Sequence, residues 1–281
     1  MGTQGRLEKQ YLLERYFHEK ILNERNPQKR KRLYHEAYCE IYSFFEKYYP
    51  LKKTFGGTPQ LMDIFKDQFK NRIVVDYGCG YGITTRQIAK YAKQSIGVEI
   101  TDKLVHFATE CANPNNTNFY TVEKFNRIYK PASIDLFFSI EVAEHLHPQD
   151  LEIHLYESYI KLKKGGSYIL ITPHRFSGPH DISSFFLPRG SAAQGLHLRE
   201  YSYEEIVNIF KKVNFRNLKA LLTSYGIGIM RSRFDIPSKL LFLDVFHKVL
   251  LEKVIPKKIF TIKKLSKLFK LDSICIIAHK I

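Results

Sequence analysis

Two carboxylates and an imidazole lie close together in the stretch "SIEVAEHL". Glu141, Glu144 and His145 occupy positions i, i+3 and i+4, so a helix would place all three on one face. The three side chains could bind a divalent metal that lowers the pKa of a hydroxyl group. Alternatively, His145 could act as a general base with Glu144 beside it. A helix start without a chemical role is the third interpretation, and the acid–base role is the one we favour.

The glycine-rich stretch "VVDYGCGYG", residues 74–82, is the second chemical feature. A turn between a strand and a helix presents free backbone N–H groups, and glycine permits unusual φ values and close approach of a ligand. The dinucleotide fingerprint G-x-G-x-x-G does not fit, because its third glycine would fall on Ile83 or Thr85. The phosphate loop does not fit either, because no lysine follows the last glycine.

Two acids flank these glycines in a way that indicates a different ligand. Asp76 precedes them, and Glu99 ends the next apolar run, "IGVEI". A carboxylate repels a phosphate but suits an ammonium group, and Glu99 could accept hydrogen bonds from both hydroxyls of a ribose. One acid for an amino group and one for a ribose favour a cationic amino-acid nucleoside as the ligand.

These stretches resemble motifs I and II of the class I S-adenosylmethionine-dependent methyltransferases, and "SIDLFFSIEVAEHL" resembles their fourth-strand motif. The likeness covers roughly residues 60–225. It implies S-adenosylmethionine as the cofactor, with the glycine loop under the methionine part, Glu99 on the ribose and Ile100 on the adenine. The cofactor-binding residues that the resemblance implies are Asp76, Gly78, Cys79, Gly80, Gly82, Glu99, Ile100, Glu123 (as the acid after the third strand) and Ile140.

The methyl acceptor is less sharply specified. The chain lacks the N-P-P-Y motif of amine-directed relatives at the end of the fourth strand, which argues against nucleobase or glutamine amines. The E-x-x-E-H pattern is similar to that of ubiquinone-type O-methyltransferases and small-RNA 3′-terminal 2′-O-methyltransferases, both linked to divalent metal. The pattern is also widespread without metal, so a metal on Glu141, Glu144 and His145 is not favoured.

A long polar segment, residues 174–200, follows the fifth strand. Loops of that length inside a compact domain are usually functional. Its polar groups could orient a hydroxylated substrate: His174, His180, Asp181, Arg189, His197 and Arg199. We therefore predict O-methylation of a small acceptor such as a sugar, a lipid-linked intermediate or a quinone-like metabolite. The alternatives are an RNA methyltransferase and a non-catalytic cofactor-binding scaffold.

The elements that must position these residues alternate as strand and helix between residues 72 and 172. Short apolar strands in that rhythm are typical of a parallel sheet covered on both faces. We predict an α/β, Rossmann-like, doubly wound fold with a mostly parallel seven-stranded sheet and helices on both faces. A helical extension over residues 1–57 precedes the methyltransferase core over 58–281.

A helical insertion at about 230–270 interrupts this core before its last strand. Its first half is apolar almost all round, and its second half mixes apolar residues with lysines, as in a helix at an anionic membrane interface. The lysines are Lys257, Lys258, Lys263, Lys264, Lys267 and Lys270. A lid over the acceptor pocket is the favoured role, followed by contact of 257–270 with an anionic membrane surface and then by a dimer interface.

The formal net charge of +16 indicates an anionic partner without choosing among nucleic acid, membrane and acidic substrate. The run "KRKR", residues 29–32, is either a solvated helical face or an anion-binding edge. Four scattered cysteines predict reduced thiols and exclude a zinc or disulfide framework. Without a secretory signal or a membrane-spanning apolar run, we predict a cytoplasmic protein, with peripheral membrane contact through the lysine-rich segment as the alternative to a lid.

Overall fold

The computed structural model describes residues 2–49, 59–221, 242–262 and 272–281. Its strands are β1 Ile73–Tyr77, β2 Gln94–Glu99, β3 Thr117–Thr121, β4 Ile134–Ile140, β5 Leu162–Pro173, β6 Arg216–Leu221, β7 Phe242–Asp244 and β8 Ser273–His279. They form one sheet in the order β3-β2-β1-β4-β5-β8-β6-β7. The five strands from β3 to β5 run parallel, and β8, β6 and β7 add antiparallel pairings.

The predicted doubly wound, mostly parallel sheet is confirmed, but it has eight strands and not seven. The additional strand, β7, lies in the apolar part of the insertion that we expected to be one helix. It pairs with β6, and the carboxylate of Asp244 then accepts a hydrogen bond of 2.9 Å from the amide of Phe246, where a helix begins. An apolar run that ends in this acid therefore divides into a short edge strand and a helix.

Ten helices surround the sheet in the described part of the chain. They are α1 Thr3–Asn23, α2 Pro27–Tyr48, α3 Pro59–Phe69, α4 Ile83–Ile88, α5 Asp102–Glu110, α6 Val122–Ile128, α7 Pro148–Lys161, α8 Tyr203–Lys212, α9 Phe246–Val254 and α10 Lys257–Phe260. The predicted capping box is present at α8, where Ser202 and Glu205 each accept the other's backbone N–H.

Alternate residues of each central strand enter two cores, one on each face of the sheet. Val75 and Phe137 pack on the face covered by α7 and α8, whereas Val74 and Phe138 pack on the face covered by α3. Because side chains alternate along a strand, a buried central strand must be apolar on both sides. This explains the continuous apolar runs of the sequence.

The N-terminal helices α1 and α2 pack on the segment after β5. Phe17 and Ile21 of α1 and Ala37 of α2 share an apolar cluster with Leu196 and Leu198. The extension is therefore joined to the core by a continuous apolar contact, and it lies against the polar segment predicted to bind the acceptor.

A buried ion pair fixes the start of α2. The guanidinium of Arg30 is fully buried and donates from Nε to Asp150 Oδ2 at 2.7 Å, at the beginning of α7. The next residue, Lys31, forms a surface ion pair of 2.6 Å with Glu123. Two of the four basic residues in "KRKR" are thus paired with acidic side chains of the protein itself, which weakens the interpretation of this run as an anion-binding edge.

The described helices of the insertion pack on the start of α8 and on the residue that follows β5. Glu252 of α9 accepts hydrogen bonds from the backbone amides of Tyr203 and Glu204, where α8 begins, and Phe260 of α10 stacks on His174. Residues 263–271, with four of the six lysines of the predicted basic helix, lie outside the described residues. Among the described helices, none is long and apolar enough to cross a bilayer.

Candidate active site

The glycine loop between β1 and α4 adopts a left-handed backbone at all three of its glycines. Gly78, Gly80 and Gly82 have φ values of 75°, 50° and 75°. A Cβ at Gly78 would lie 2.4 Å from Val142, and one at Gly82 would lie 2.5 Å from Phe119. A Cβ at Gly80 would meet no described atom within 4 Å. Packing therefore excludes a side chain at the first and third glycines, while open space lies beside the second.

That open space belongs to a cavity of about 180 Å³ at the carboxyl ends of β1, β2 and β4. Six of the residues that the sequence pointed to line it: Gly78, Gly80, Glu99, Ile100, Glu141 and His145. Sequence reasoning missed Tyr34, Tyr38 and Tyr42, which project from successive turns of α2. Their spacing of four residues was visible in the sequence, but nothing in it showed which surface this face of α2 would cover.

Glu99 links the glycine loop to the end of β2. Its Oε2 accepts a hydrogen bond of 3.0 Å from the Gly80 amide, and its Oε1 accepts one of 2.7 Å from the amide of Ile100. The side chain is buried, and this burial raises its pKa. The carboxylate thus lies in the cavity wall and also holds the loop in place.

Asp76 lies behind the loop, outside the cavity lining. Its Oδ2 accepts a hydrogen bond of 2.6 Å from the hydroxyl of Thr85, and burial raises its pKa to about 7. Cys79 is buried against Phe119, and Ile140 packs against the core on the α3 face. The predicted residues Asp76, Cys79, Gly82 and Ile140 thus surround or support the loop without lining the cavity.

Glu123, the predicted adenine contact, lies in the first turn of α6. The hydroxyl of Thr121 caps that turn by accepting from the Lys124 amide, and Glu123 extends towards Lys31. Although burial opposes it, the bond to Lys31 lowers the pKa of Glu123. The cavity is lined instead by the preceding residue, Val122.

The turn after β4, residues 141–145 (the acidic turn), does not form the helix that the sequence predicted. Glu141 has a φ of 54°, and Ala143–His145 form a single 3-10 turn, so Glu141, Glu144 and His145 do not share a helical face. The left-handed residue turns the chain sharply and separates Glu141 from the other two. Its side chain is exposed, whereas Glu144 is fully buried. The expected common face of these three residues is therefore wrong.

Glu144 has one satisfied and one unsatisfied carboxylate oxygen. Its Oε2 accepts a hydrogen bond of 2.8 Å from the hydroxyl of Thr172 on β5. Its Oε1 has no hydrogen-bond partner in the described part of the chain. Burial raises the pKa of this carboxyl to about 7.

Two imidazoles face that unsatisfied oxygen. Nε2 of His145 lies 4.0 Å from Glu144 Oε1, and Nε2 of His197 lies 3.9 Å from it. Nδ1 of His145 is 3.1 Å from the carbonyl oxygen of Leu196. Because a carbonyl can only accept a hydrogen bond, Nδ1 carries the proton of the neutral ring and Nε2 is unprotonated. Burial, and secondarily the neighbouring His197, lower the pKa of His145 to about 3, so its ring is neutral near pH 7.

His197 is the functional candidate that sequence reasoning placed only within a general polar set. Its Nδ1 lies 2.9 Å from Glu200 Oε1, and its ring meets that of His145 edge to face. Burial lowers the pKa of His197, but the hydrogen bond to Glu200 and the charge of Glu144 outweigh it, and the net shift is upward. The segment 174–200 thus places the imidazole of His197 beside Glu144 and His145.

Comparison with known proteins agrees with this geometry. Residues 75–170 match the family described as a methyltransferase domain. An S-adenosylmethionine-dependent methyltransferase from Archaeoglobus fulgidus shares the fold with 21% identity and a TM-score of 0.52, over 85% of this chain and 99% of that one. A possible histamine N-methyltransferase from Thermotoga maritima shares it with 17% identity and a TM-score of 0.51, over 88% and 98%.

A third solved structure contains S-adenosyl-L-methionine. Phosphoethanolamine N-methyltransferase 2 from Haemonchus contortus, in complex with S-adenosyl-L-methionine, is 17% identical with a TM-score of 0.51, over 80% of this chain and 53% of that one. The family match covers the glycine loop, Glu99 and the acidic turn, and the open space at Gly80 suits a ligand that approaches the backbone closely. Residues 75–170 are therefore a methyltransferase domain, and the chain has the fold of S-adenosylmethionine-dependent methyltransferases.

Proposed function

We propose that this protein transfers the methyl group of S-adenosylmethionine to a hydroxyl oxygen of a small acceptor: a sugar, a lipid-linked intermediate or a quinone-like metabolite. The observation that carries the proposal is the position of His145. Its ring lines the cavity that the glycine loop and Glu99 also line, with an unprotonated Nε2. A hydroxyl acceptor must lose a proton during transfer, and these residues provide a place for that proton.

The cofactor side of the cavity follows from the same residues. Gly78 and Gly80 would lie against the methionine part, Glu99 would accept hydrogen bonds from the ribose, and Ile100 would pack on the adenine. Asp76 would act at the amino end from behind the loop. A direct role for Glu123 would require its side chain to leave Lys31.

The acceptor side would be formed by His145 and Glu144. Methyl transfer from a sulfonium needs the acceptor oxygen in line with the methyl carbon, with little other help. The buried His145 imidazole alone is a weak base, because its pKa is lowered to about 3. Negative charge on Glu144, 4.0 Å away, would stabilise a positive charge that develops on the acceptor side.

The alternatives have less support. RNA methylation was favoured by the net charge of +16 and by "KRKR", but Arg30 and Lys31 of that run are paired with Asp150 and Glu123. The methyltransferase domain over residues 75–170 includes the glycine loop, so the scaffold interpretation has no specific observation in its favour.

A methyl-transfer assay tests the proposal. The protein is incubated with S-adenosylmethionine labelled in the methyl group and with separate acceptors: quinols and catechols, sugars, a lipid-linked sugar, primary amines and total RNA. We expect label and S-adenosylhomocysteine with a hydroxylated small molecule, and mass spectrometry should place the methyl on oxygen. The His145→Gln variant should bind cofactor but lose turnover. Transfer to nitrogen or to RNA alone would overturn the proposal.

A further inference from the structure

We propose that helices α9 and α10 bind the surface of an anionic lipid bilayer. The inference goes beyond the proposed function, because it concerns a face outside the cavity and holds for any methyl acceptor. It takes the place of the lid as the role of α9, since none of residues 242–262 lines the cavity.

The outer face of α9 carries three apolar side chains in a line. Phe246, Leu250 and Val254 follow one another at intervals of four residues, and they are 65%, 46% and 63% exposed. Residues at this spacing lie on one side of a helix, and we call these three the α9 stripe. A single exposed apolar side chain is ordinary on a protein surface, whereas a continuous group of them marks a contact surface.

The inner face of α9 is already used within the fold. Val245, just before the helix, and Val249 pack against the core that α8 also covers. One turn further on, Glu252 accepts hydrogen bonds from the amides of Tyr203 and Glu204. These contacts fix the rotation of α9 about its own axis, so the α9 stripe is held on the outer side of the molecule.

The apolar surface continues from the α9 stripe into a groove between α8 and α9. The groove has a volume of about 320 Å³, and Phe246 forms part of its wall. Its other apolar lining residues are Val207, Phe215, Leu218, Val245 and Val249. Lipid acyl chains could therefore contact more apolar area here than the α9 stripe alone offers, and the free energy of binding grows with that area.

The charges around this apolar surface favour an anionic partner. The exposed charged residues of the groove, α9 and α10 are five cations and two acids: Lys211, Arg216, Lys253, Lys257 and Lys258 against Glu204 and Asp244. Only one of the lysines, Lys253, forms an ion pair with one of these acids, Glu204, at 2.9 Å. An apolar face with a positive rim is typical of helices that lie on anionic bilayers, where each cation adds to the attraction.

The same positive rim disfavours a second copy of the chain as the partner. In a symmetric dimer through the α9 stripe, each rim would face the identical rim of the other copy. Like charges brought together across an interface oppose association. An anionic bilayer instead offers acyl chains to the stripe and negative headgroups to the lysines.

Flotation with vesicles tests the proposal without any measurement of methyl transfer. The full-length protein is mixed with vesicles of phosphatidylcholine alone, or of phosphatidylcholine with phosphatidylglycerol, and is centrifuged through a density gradient. We expect the protein to float with the phosphatidylglycerol vesicles at low salt and to leave them at high salt, because salt screens the attraction. It should not float with phosphatidylcholine alone.

Two double variants locate the contact. Leu250→Gln with Val254→Gln should weaken vesicle binding by about tenfold or more, because it removes apolar area from the contact. Lys257→Gln with Lys258→Gln should weaken it by about 10–30-fold, since each lysine near an anionic surface contributes about a factor of five.

Each double variant has a matched control. Ile153→Gln with Tyr156→Gln removes two comparably exposed apolar side chains from α7, where Glu152 and Glu157 are their neighbours. Lys9→Gln with Lys90→Gln removes two exposed lysines outside α9 and α10. Both controls should float as the wild type does.

Four outcomes would overturn the proposal. The wild type might float with neither set of vesicles, or equally with both, or the controls might reduce binding as much as the α9 and α10 variants do. The fourth is that another occupant covers the α9 stripe. A fall in the melting temperature of Leu250→Gln with Val254→Gln would identify another segment of the chain, and a dimer lost in this variant, measured by light scattering, would identify a second copy.

Discussion

The amide of Gly80 donates a hydrogen bond of 3.0 Å to Oε2 of Glu99, so the glycine loop and the acid that ends β2 are one structural unit. A second bond from the amide of Ile100 holds the other oxygen of the same carboxylate. Glu99 therefore has a structural role besides its proposed contact with the ribose. Cofactor binding should therefore be sensitive to substitution of Glu99.

We expect Glu99→Ala to weaken S-adenosylmethionine binding by about 1–3 kcal/mol, the cost of losing hydrogen bonds to a charged group. Isothermal titration calorimetry measures the change directly. Glu46→Ala is a matched control, because Glu46 forms an exposed ion pair with Lys103 on the surface. Equal affinity in the two variants would show that Glu99 does not hold the cofactor.

Gly80 and Gly82 provide a second test, because the same substitution should have different effects at the two positions. Both need a left-handed backbone, which costs alanine about 1–2 kcal/mol. Gly82→Ala would also press a methyl group into the ring of Phe119, at about 1–3 kcal/mol more. Gly80→Ala meets open space inside the cavity and should instead obstruct the cofactor.

Thermal unfolding and calorimetry together separate these effects. Gly82→Ala should show the larger drop in melting temperature, and Gly80→Ala the larger loss of cofactor affinity relative to its loss of stability. If both variants lost stability and affinity in the same proportion, the space at Gly80 would not be the cofactor site.

Stability should depend on pH through Asp76. Burial raises the pKa of its carboxyl to about 7 in the folded protein, from an ordinary value of 3.8. The folded state therefore keeps a proton that the unfolded state has released. The contribution of Asp76 to stability is complete below about pH 4 and is lost as the pH rises towards 7.

Comparison of Asp76→Asn with the wild type isolates this effect, because asparagine resembles the protonated acid and does not titrate. We compare the free energy of unfolding of Asp76→Asn with that of the wild type. The value for the variant minus the value for the wild type should increase by up to about 1.4 kcal/mol per pH unit between pH 5 and 7. Urea unfolding at several pH values measures the difference. A difference that is constant with pH would mean that Asp76 has an ordinary pKa.

The part of the site that could be read from the sequence is the part built from contiguous residues. Asp76, the three glycines and Glu99 follow from two strand–turn patterns, and the structure places Gly78, Gly80 and Glu99 together in the cavity wall. Their relationship is set by neighbouring parallel strands, whose carboxyl ends must meet at one edge of the sheet. Local pattern and tertiary position therefore agree at this edge.

The remainder depended on contacts between distant segments. Nothing local in "GLHLRE" shows that His197 meets His145, because that contact depends on the course of the whole segment after β5. The expected helical face of Glu141, Glu144 and His145 was wrong because a single left-handed residue, with a φ of 54°, redirects the chain. The sequence shows the tyrosines of α2 as one amphipathic face, but their place over the cavity depends on tertiary contacts, among them the pairing of Arg30 with Asp150.

That pairing leads to a prediction about the N-terminal helices. Arg30 is fully buried, and Asp150 also accepts a hydrogen bond of 2.9 Å from the hydroxyl of Tyr34, which lines the cavity. Arg30→Met should lower the free energy of unfolding by about 3 kcal/mol, because it leaves a largely buried carboxylate without its cation. It should also weaken cofactor binding, since Tyr38 and Tyr42 lie on the helix that this pair anchors.

Lys31→Met is the matched control for that change. Lys31 is adjacent in sequence, but its ion pair with Glu123 is exposed and should contribute no more than about 1 kcal/mol. Urea unfolding gives the stability of each variant, and calorimetry gives its affinity for S-adenosylmethionine. If Arg30→Met lost stability but bound the cofactor as tightly as Lys31→Met does, α2 would support the fold without shaping the cofactor site, and its tyrosines would have to be assigned to the acceptor alone.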